Sequence, residues 1–234
     1  MERTGIEKIV ELAAPNLQEI DGRAYTDKRI IPVERPRVET LELTTLNSLV
    51  KLIQEESTHY ITPLIVQVSS HNTVDVFAGI QTTDRKRENP YHCKAETIHI
   101  QFDRKLDYES MMIALKSKFV QTPELLELVK LLVSITEQNS AQVFDDGFSQ
   151  NVVVRKGIAL KENKTINPIV KLKPYRTFAE IDQPESEFLL RLSDGANVAL
   201  YEADGGAWKL EARKRIADYL REALDGQEDV LIVE

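Results

Sequence analysis

The sequence predicts an α+β fold: a mixed or antiparallel sheet with helices packed on it, closed by a C-terminal unit of strand, hairpin and helix. Three observations carry this. Trp208, Ala212, Ile216, Tyr219, Leu220 and Ala223 fall on one arc of a helical wheel, opposite Glu211, Lys214, Asp218, Arg221 and Glu222. Just upstream, Phe188 to Leu192 and Val198 to Tyr201 are apolar and β-prone, with Ser193-Asp194-Gly195-Ala196-Asn197 between them as a hairpin turn. Val230 to Val233 is an apolar strand that must pair within its own sheet or with that of a neighbour.

The last helix is introduced by Asp204-Gly205-Gly206, where the carboxylate can take free N–H groups and the glycines allow a sharp entry. Gly226 is placed to end it. Burial of its large apolar residues, at roughly 1.5–3 kcal/mol each, requires a sheet or helix beneath it.

The remaining elements follow in order. Ile6 to Ala14 reads as a short amphipathic helix with Ile6, Ile9, Val10 and Ala13 inward, cut off by Pro15. Residues 22–38 are polar and proline-bearing, with Arg23, Lys28, Arg29, Arg35 and Arg37 around Pro32 and Pro36. They read as an extended arm, either crossing the surface or reaching a neighbouring subunit. Thr44 or Thr45 caps a helix facing inward through Leu46, Leu49, Val50 and Ile53. Leu64 to Val68 and Val74 to Phe77 form a hairpin, and Gln81 to Lys94, the most polar stretch, reads as a mobile loop. Thr97 to Phe102 reads as a strand. Asp107 caps a helix through Met111, Met112, Leu115 and Phe119, and Thr122-Pro123-Glu124 starts a second, apolar over most of its circumference and expected to be central. Strands follow at Ala141 to Phe144, Asn151 to Val154 and Pro168 to Leu172, with Asp145-Asp146-Gly147 as a tight turn. No repeat or linker divides the chain, which reads as one domain, 1–234, or as two packed lobes, 1–140 helix-rich and 141–234 strand-rich.

Composition narrows the function. With 234 residues, 42% hydrophobic and 29% charged, the chain can fold around a sizeable core. A net charge of −8 disfavours general binding to nucleic acid or an anionic membrane. Cys93 is the sole cysteine, so no intrachain disulfide forms, which suits a reducing compartment. No apolar run approaches the ~20 residues of a membrane span and no signal-peptide layout is present, so a cytoplasmic, membrane-free protein is expected.

No catalytic constellation assembles from the sequence. Adjacent His92 and Cys93, with His99 and His71, lack zinc-ligand spacing, and no metal or cofactor is expected. Glu180, Asp182, Glu185 and Glu187, with Glu202 and Asp204, offer carboxylates without a companion histidine or phosphate loop. Basic candidates for single-stranded DNA are Arg85, Lys86 and Arg87, and Lys171, Lys173, Tyr175 and Arg176, where an aromatic sits among cations. As solvated charge they need no function. Candidates for assembly are Pro32, Arg35, Pro36 and Arg37 of the arm and Leu231 and Val233 of the last strand.

The run Lys173-Pro174-Tyr175-Arg176-Thr177-Phe178-Ala179-Glu180-Ile181-Asp182-Gln183-Pro184-Glu185-Ser186-Glu187-Phe188, followed by Ala199-Leu200-Tyr201-Glu202-Ala203-Asp204-Gly205-Gly206-Ala207-Trp208-Lys209-Leu210, resembles the YfdQ-like family of phage and prophage proteins. Asp145 to Gln150, Lys156 to Leu160 and Glu19 to Arg23 are similar as well. The resemblance implies a phage or prophage gene expressed in a bacterial cytoplasm and transfers no site residue. The expectation is therefore a non-enzymatic accessory protein that works as a homo-oligomer and presents a surface to phage or host proteins. A larger closed assembly, even a shell, fits the same features. The alternatives are a replication or recombination helper that binds single-stranded DNA, and an enzyme with a carboxylate site near 180–206.

Overall fold

Alternating apolar residues build a sheet face and helical stripes cover it, and the computed structural model shows that arrangement twice. It describes residues 3–15, 17–20, 23–26, 37–82, 85–136, 141–145, 150–156, 159–193 and 197–234. In order the elements are α1 (Arg3–Ala13), β1 (Leu17–Ile20), β2 (Arg23–Thr26), β3 (Leu41–Leu43) and α2 (Leu46–Glu56). A short 3₁₀ turn precedes β4 (Leu64–Ser70), β5 (Thr73–Phe77), β6 (Tyr91–Lys94), α3 (Tyr108–Ser117) and α4 (Pro123–Thr136). Then come β7 (Ala141–Asp145), β8 (Gln150–Lys156), β9 (Ala159–Ile166), β10 (Ile169–Leu172), β11 (Ser186–Ser193), β12 (Asn197–Glu202), α5 (Ala207–Ala223) and β13 (Val230–Val233). The fold is α+β, with mixed and antiparallel sheets.

The chain divides into two compact units, Met1–Arg37 and Val38–Glu234. The first holds α1 and the antiparallel hairpin β1–β2. Ile9, expected on the buried face of its helix, is 60% exposed, and so is Leu12 at 67%. Of the expected arm, Arg23 to Thr26 pairs in this hairpin, whereas Pro32, Arg35 and Pro36 lie outside the described residues.

The second unit has two cores. A five-stranded mixed sheet, order β13-β4-β5-β6-β3, turns Leu64, Val66, Val68, Val74, Val76, Tyr91 and Cys93 toward α2 and α5. The outer strands β13 and β3 run parallel to their neighbours, and the inner pairs are antiparallel. Helix α2 is capped as its sequence requires, Thr45 Oγ1 accepting from Ser48 N–H at 3.3 Å, and it buries Leu46, Leu49, Val50 and Ile53. Helix α5 buries Trp208, Ala212, Ile216, Ala217 and Leu220, following the predicted arc. The second core lies where α3 and α4 meet the antiparallel sheet β10-β11-β12, with Phe119, Leu125, Leu132, Leu172, Phe188 and Leu190 at its centre. A third sheet, β7-β8-β9, is an antiparallel meander. The unit boundary falls at the end of the 22–38 segment and not near residue 140, because each core draws residues from both sides of 140.

Several local expectations are corrected. Residues 91–94 form β6, a strand between two others, with Tyr91 and Cys93 fully buried, and of the stretch before it Glu88 O accepts from Ala78 N–H and Lys86 O from Gln81 N–H. Residues 97–102 form no strand. Phe102 instead lies on the second core, stacked on Phe188 with ring centroids 5.0 Å apart, while Ile98 is exposed. Helix α4 is not buried all round: Leu125, Leu128 and Leu132 face the core and Leu126 faces solvent. The turns expected at 146–147 and 194–196 lie outside the described residues, but the strands on either side pair as expected.

Candidate functional site

Strand alternation fixes the outer face of the five-stranded sheet. Because the inward residues are the buried ones, their neighbours must point the other way. The registers Leu231↔Ile65 and Ile65↔Phe77 align three apolar side chains across β13, β4 and β5. One step along, Val233↔Gln67, Gln67↔Asp75, Asp75↔His92 and His92↔Glu42 align a mostly polar row across all five strands. Both helices pack on the opposite face, and Ile65, Phe77, Leu231 and Val233 belong to neither core. Leu231 is 51% exposed and Val233 40%. The face is therefore apolar toward β13 and polar toward β3.

The polar row is ordered. Asp75 accepts from the hydroxyl of Ser69 and contacts His92 Nδ1 at 2.7 Å. His92 Nε2 lies 3.9 Å from Glu42. Serine and histidine both use the same carboxylate, so the hydroxyl is not presented to the imidazole as a nucleophile's base requires. His92 and Cys93 sit on opposite faces, the thiol contacting Thr45 O at 3.3 Å with its pKa raised to about 12, chiefly by burial. Among the described residues no group of three or more His, Cys, Asp or Glu is placed to hold a metal ion.

The basic candidates are dispersed. Arg176, expected to contact phosphates, is buried: it pairs with Glu202, donates to Ser186 Oγ, and lies 3.7 Å from the Trp208 ring centroid. Burial pushes its pKa down to about 10 despite the attraction of Glu202 and Asp204. It is a structural cation, corrected from the phosphate role because Glu202 and Trp208 approach it only in the fold. Lys171 lies 3.8 Å from Glu187 and 4.0 Å from Glu185, while Tyr175 is 39% exposed and Lys173 half-buried. Arg85, Lys86 and Arg87 are exposed, and Arg87 donates to Ala78 O at 3.0 Å. Arg37 is exposed and engaged with a partner.

Most of the carboxylates near 180–206 have partners within the fold. Glu180 accepts from Asn47 N–H at the start of α2. Glu185, Glu187 and Asp204 share an open cleft of about 490 Å³ with Lys171, Lys214 and Trp208. Two of them face Lys171. Burial raises the Asp204 pKa, but hydrogen bonds from Gly206 N–H, Ser186 and Trp208 N–H and the charge of Arg176 outweigh it and hold the group below the usual carboxylate range. The left-handed φ of +61° at Gly205 and +83° at Gly206 makes that turn possible. His71 packs edge-on against Trp208 at 4.7 Å, and its pKa is lowered by burial, then by Lys209 and Arg176.

The sequence singled out Leu231 and Val233 but missed Ile65, Phe77 and the Asp75–His92 row, whose common face depends on pairing between distant strands. No helix among the described residues is long and apolar enough to cross a membrane. A comparison of the chain with protein-family models, curated proteins and solved structures finds no match in any of the three, so the likeness to the YfdQ-like family rests on the quoted residues alone.

Proposed function

We propose that the chain is a non-enzymatic accessory protein that works as a homo-oligomer and presents a surface to protein partners, in the phage or prophage setting that the resemblance implies. One observation carries this reading: Leu231, Ile65 and Phe77, with Val233 beside them, form an apolar band on a sheet face whose covering helices lie on the other side. Leu231 and Val233 are exposed and Ile65 and Phe77 half-buried, and contiguous apolar surface of this kind supports an association role. The single-strand reading is weakened because Arg176 is spent inside the fold. Light scattering at micromolar concentration tests the proposal. The expected mass is a multiple of 26.7 kDa that falls in Phe77→Lys or Ile65→Lys. A monomer insensitive to concentration and salt overturns it.

A further inference from the structure

Strand β13 ends the five-stranded sheet, and its hydrogen-bonding pattern says which groups are left over. Leu64 N–H donates to Asp229 O at 2.9 Å, and the parallel register runs from Val230↔Leu64 to Val233↔Gln67. In a parallel ladder this directs the backbone groups of Leu231 and Val233 at β4. The N–H and C=O of Ile232 therefore point away from the sheet, with the C=O of Val230 and the N–H of Glu234 on either side. Val230 N–H is already taken by Gln227 O at 3.2 Å. Ile232 has no backbone partner on that side among the described residues.

Resting on the self-association reading above, we propose that a second copy of this chain pairs with β13 edge to edge, antiparallel about a two-fold axis at Ile232, so that two five-stranded sheets become one. The free groups are symmetric about Ile232. A copy turned by half a revolution meets Ile232 N–H with Ile232 C=O in both directions, and Glu234 N–H with Val230 C=O in both directions. This register also matches the faces. It sets Leu231 opposite Val233 of the second copy on the outer side, whereas a shift by one residue would set half-buried Ile232 opposite exposed Val233. The apolar bands of the two copies then run together, since Leu231 continues Ile65 and Phe77 and Val233 lies next to Leu231 on the same face.

The chemistry of the edge favours a copy of itself. Val230–Val233 carries no lysine, proline or bulge, the devices that guard an exposed edge. At the far edge Glu42 places a charge inside β3, whereas the acids next to β13, Asp229 and Glu234, lie outside the strand. Glu234 is drawn toward Arg221 of its own chain, 3.7 Å away. An edge of four residues buries less than the ~1,200 Å² of a standard stable interface, so the pairing by itself gives a concentration-dependent dimer rather than a permanent one.

Sedimentation equilibrium across the micromolar range tests this with Ile232→Pro and Glu234→Pro. Each removes one outward N–H and leaves the ladder to β4 untouched. Circular dichroism and thermal melting report whether each variant is folded; Glu234 lies outside the core, so its variant decides if Ile232→Pro does not fold. The expected result is a wild-type monomer–dimer equilibrium weakened about tenfold or more in the folded variants. If wild type associates and folded Glu234→Pro associates equally well, edge pairing is wrong and self-association stands. If wild type remains monomeric throughout, both fall.

Discussion

Replacing either partner of the Arg176–Glu202 pair should have unequal effects. The Arg176 side chain is 8% exposed and that of Glu202 35%. Glu202→Ala leaves a guanidinium inside the protein with Ser186 and the more distant Asp204 for compensation. Stranding a fully buried charge costs roughly 3–5 kcal/mol, and the partial exposure of this pair brings the expectation to about 2–3 kcal/mol. Arg176→Met keeps an unbranched stem on the Trp208 ring, removes an Nε that has no hydrogen-bond partner, and leaves a carboxylate that water reaches. Its expected cost is within about 1 kcal/mol. Urea unfolding followed by far-UV circular dichroism measures both, and the double variant gives the coupling. Trp208, the sole tryptophan, provides a local fluorescence signal. If Arg176→Met costs as much as Glu202→Ala, the argument that burial dominates this cation is wrong.

Four other outcomes follow. The Cys93 thiol, buried and with its pKa pushed up to about 12, should resist a thiol reagent in the native protein and react only on unfolding; prompt labelling of folded protein at mild alkaline pH would contradict its position. Gly79→Ala should cost about 1–3 kcal/mol in urea unfolding, since a Cβ there would lie 2.7 Å from Ile61 Cγ2 and 2.8 Å from the carbonyls of Ile61 and Thr62; unchanged stability would mean that this crossing is looser. Asp204 has a folded pKa below its unfolded one, so its contribution is present above the ordinary carboxylate pKa and is lost as pH falls through the folded value. Asp204→Asn should therefore flatten the acid limb of the urea midpoint against pH, and an unchanged limb would refute the assignment. Leu64→Ala, at a fully buried position between β13 and β5, should cost about 2–5 kcal/mol by thermal or urea unfolding, and less than 1 kcal/mol would place Leu64 outside the core.

The helices were legible because their signals are local. Thr45 and Asp107 cap, Thr122 and Pro123 open a helix, and the inward stripes of α2 and α5 repeat at helical spacing. Strands were legible where apolar alternation extends over several residues, as in β4 and β11. Strand β6 was hidden because only Tyr91 and Cys93 alternate, directly after a charged stretch, and β3 has three residues. Strand β9 carries Lys161, Glu162, Asn163 and Lys164 in its middle, with no apolar alternation to find. The opposite error arose at 97–102, where alternating Ile98, Ile100 and Phe102 suggested a ladder, yet Phe102 is apolar because it packs on Phe188 and Phe119. The site was legible only in β13. Glu42, Asp75 and His92 become neighbours through pairing of three strands, and the burial of Arg176 depends on residues 26 and more positions away.

The outer face also says what kind of surface the paired form would present. Apolar side chains lie at the β13 end and polar ones toward β3, so a two-fold at β13 brings the apolar bands of two copies together and leaves the Asp75–His92–Glu42 rows on the flanks. An apolar centre with an ordered polar rim is the anatomy of a protein interface. Leu231, Ile65 and Phe77 stand in one line on this face, and the half-buried Asp75 and His92 stand in the row beside them. The same alternation that buries Val66 and Val76 turns Ile65 and Phe77, one residue away on each strand, to the outer face, where the proposed pairing would join two copies.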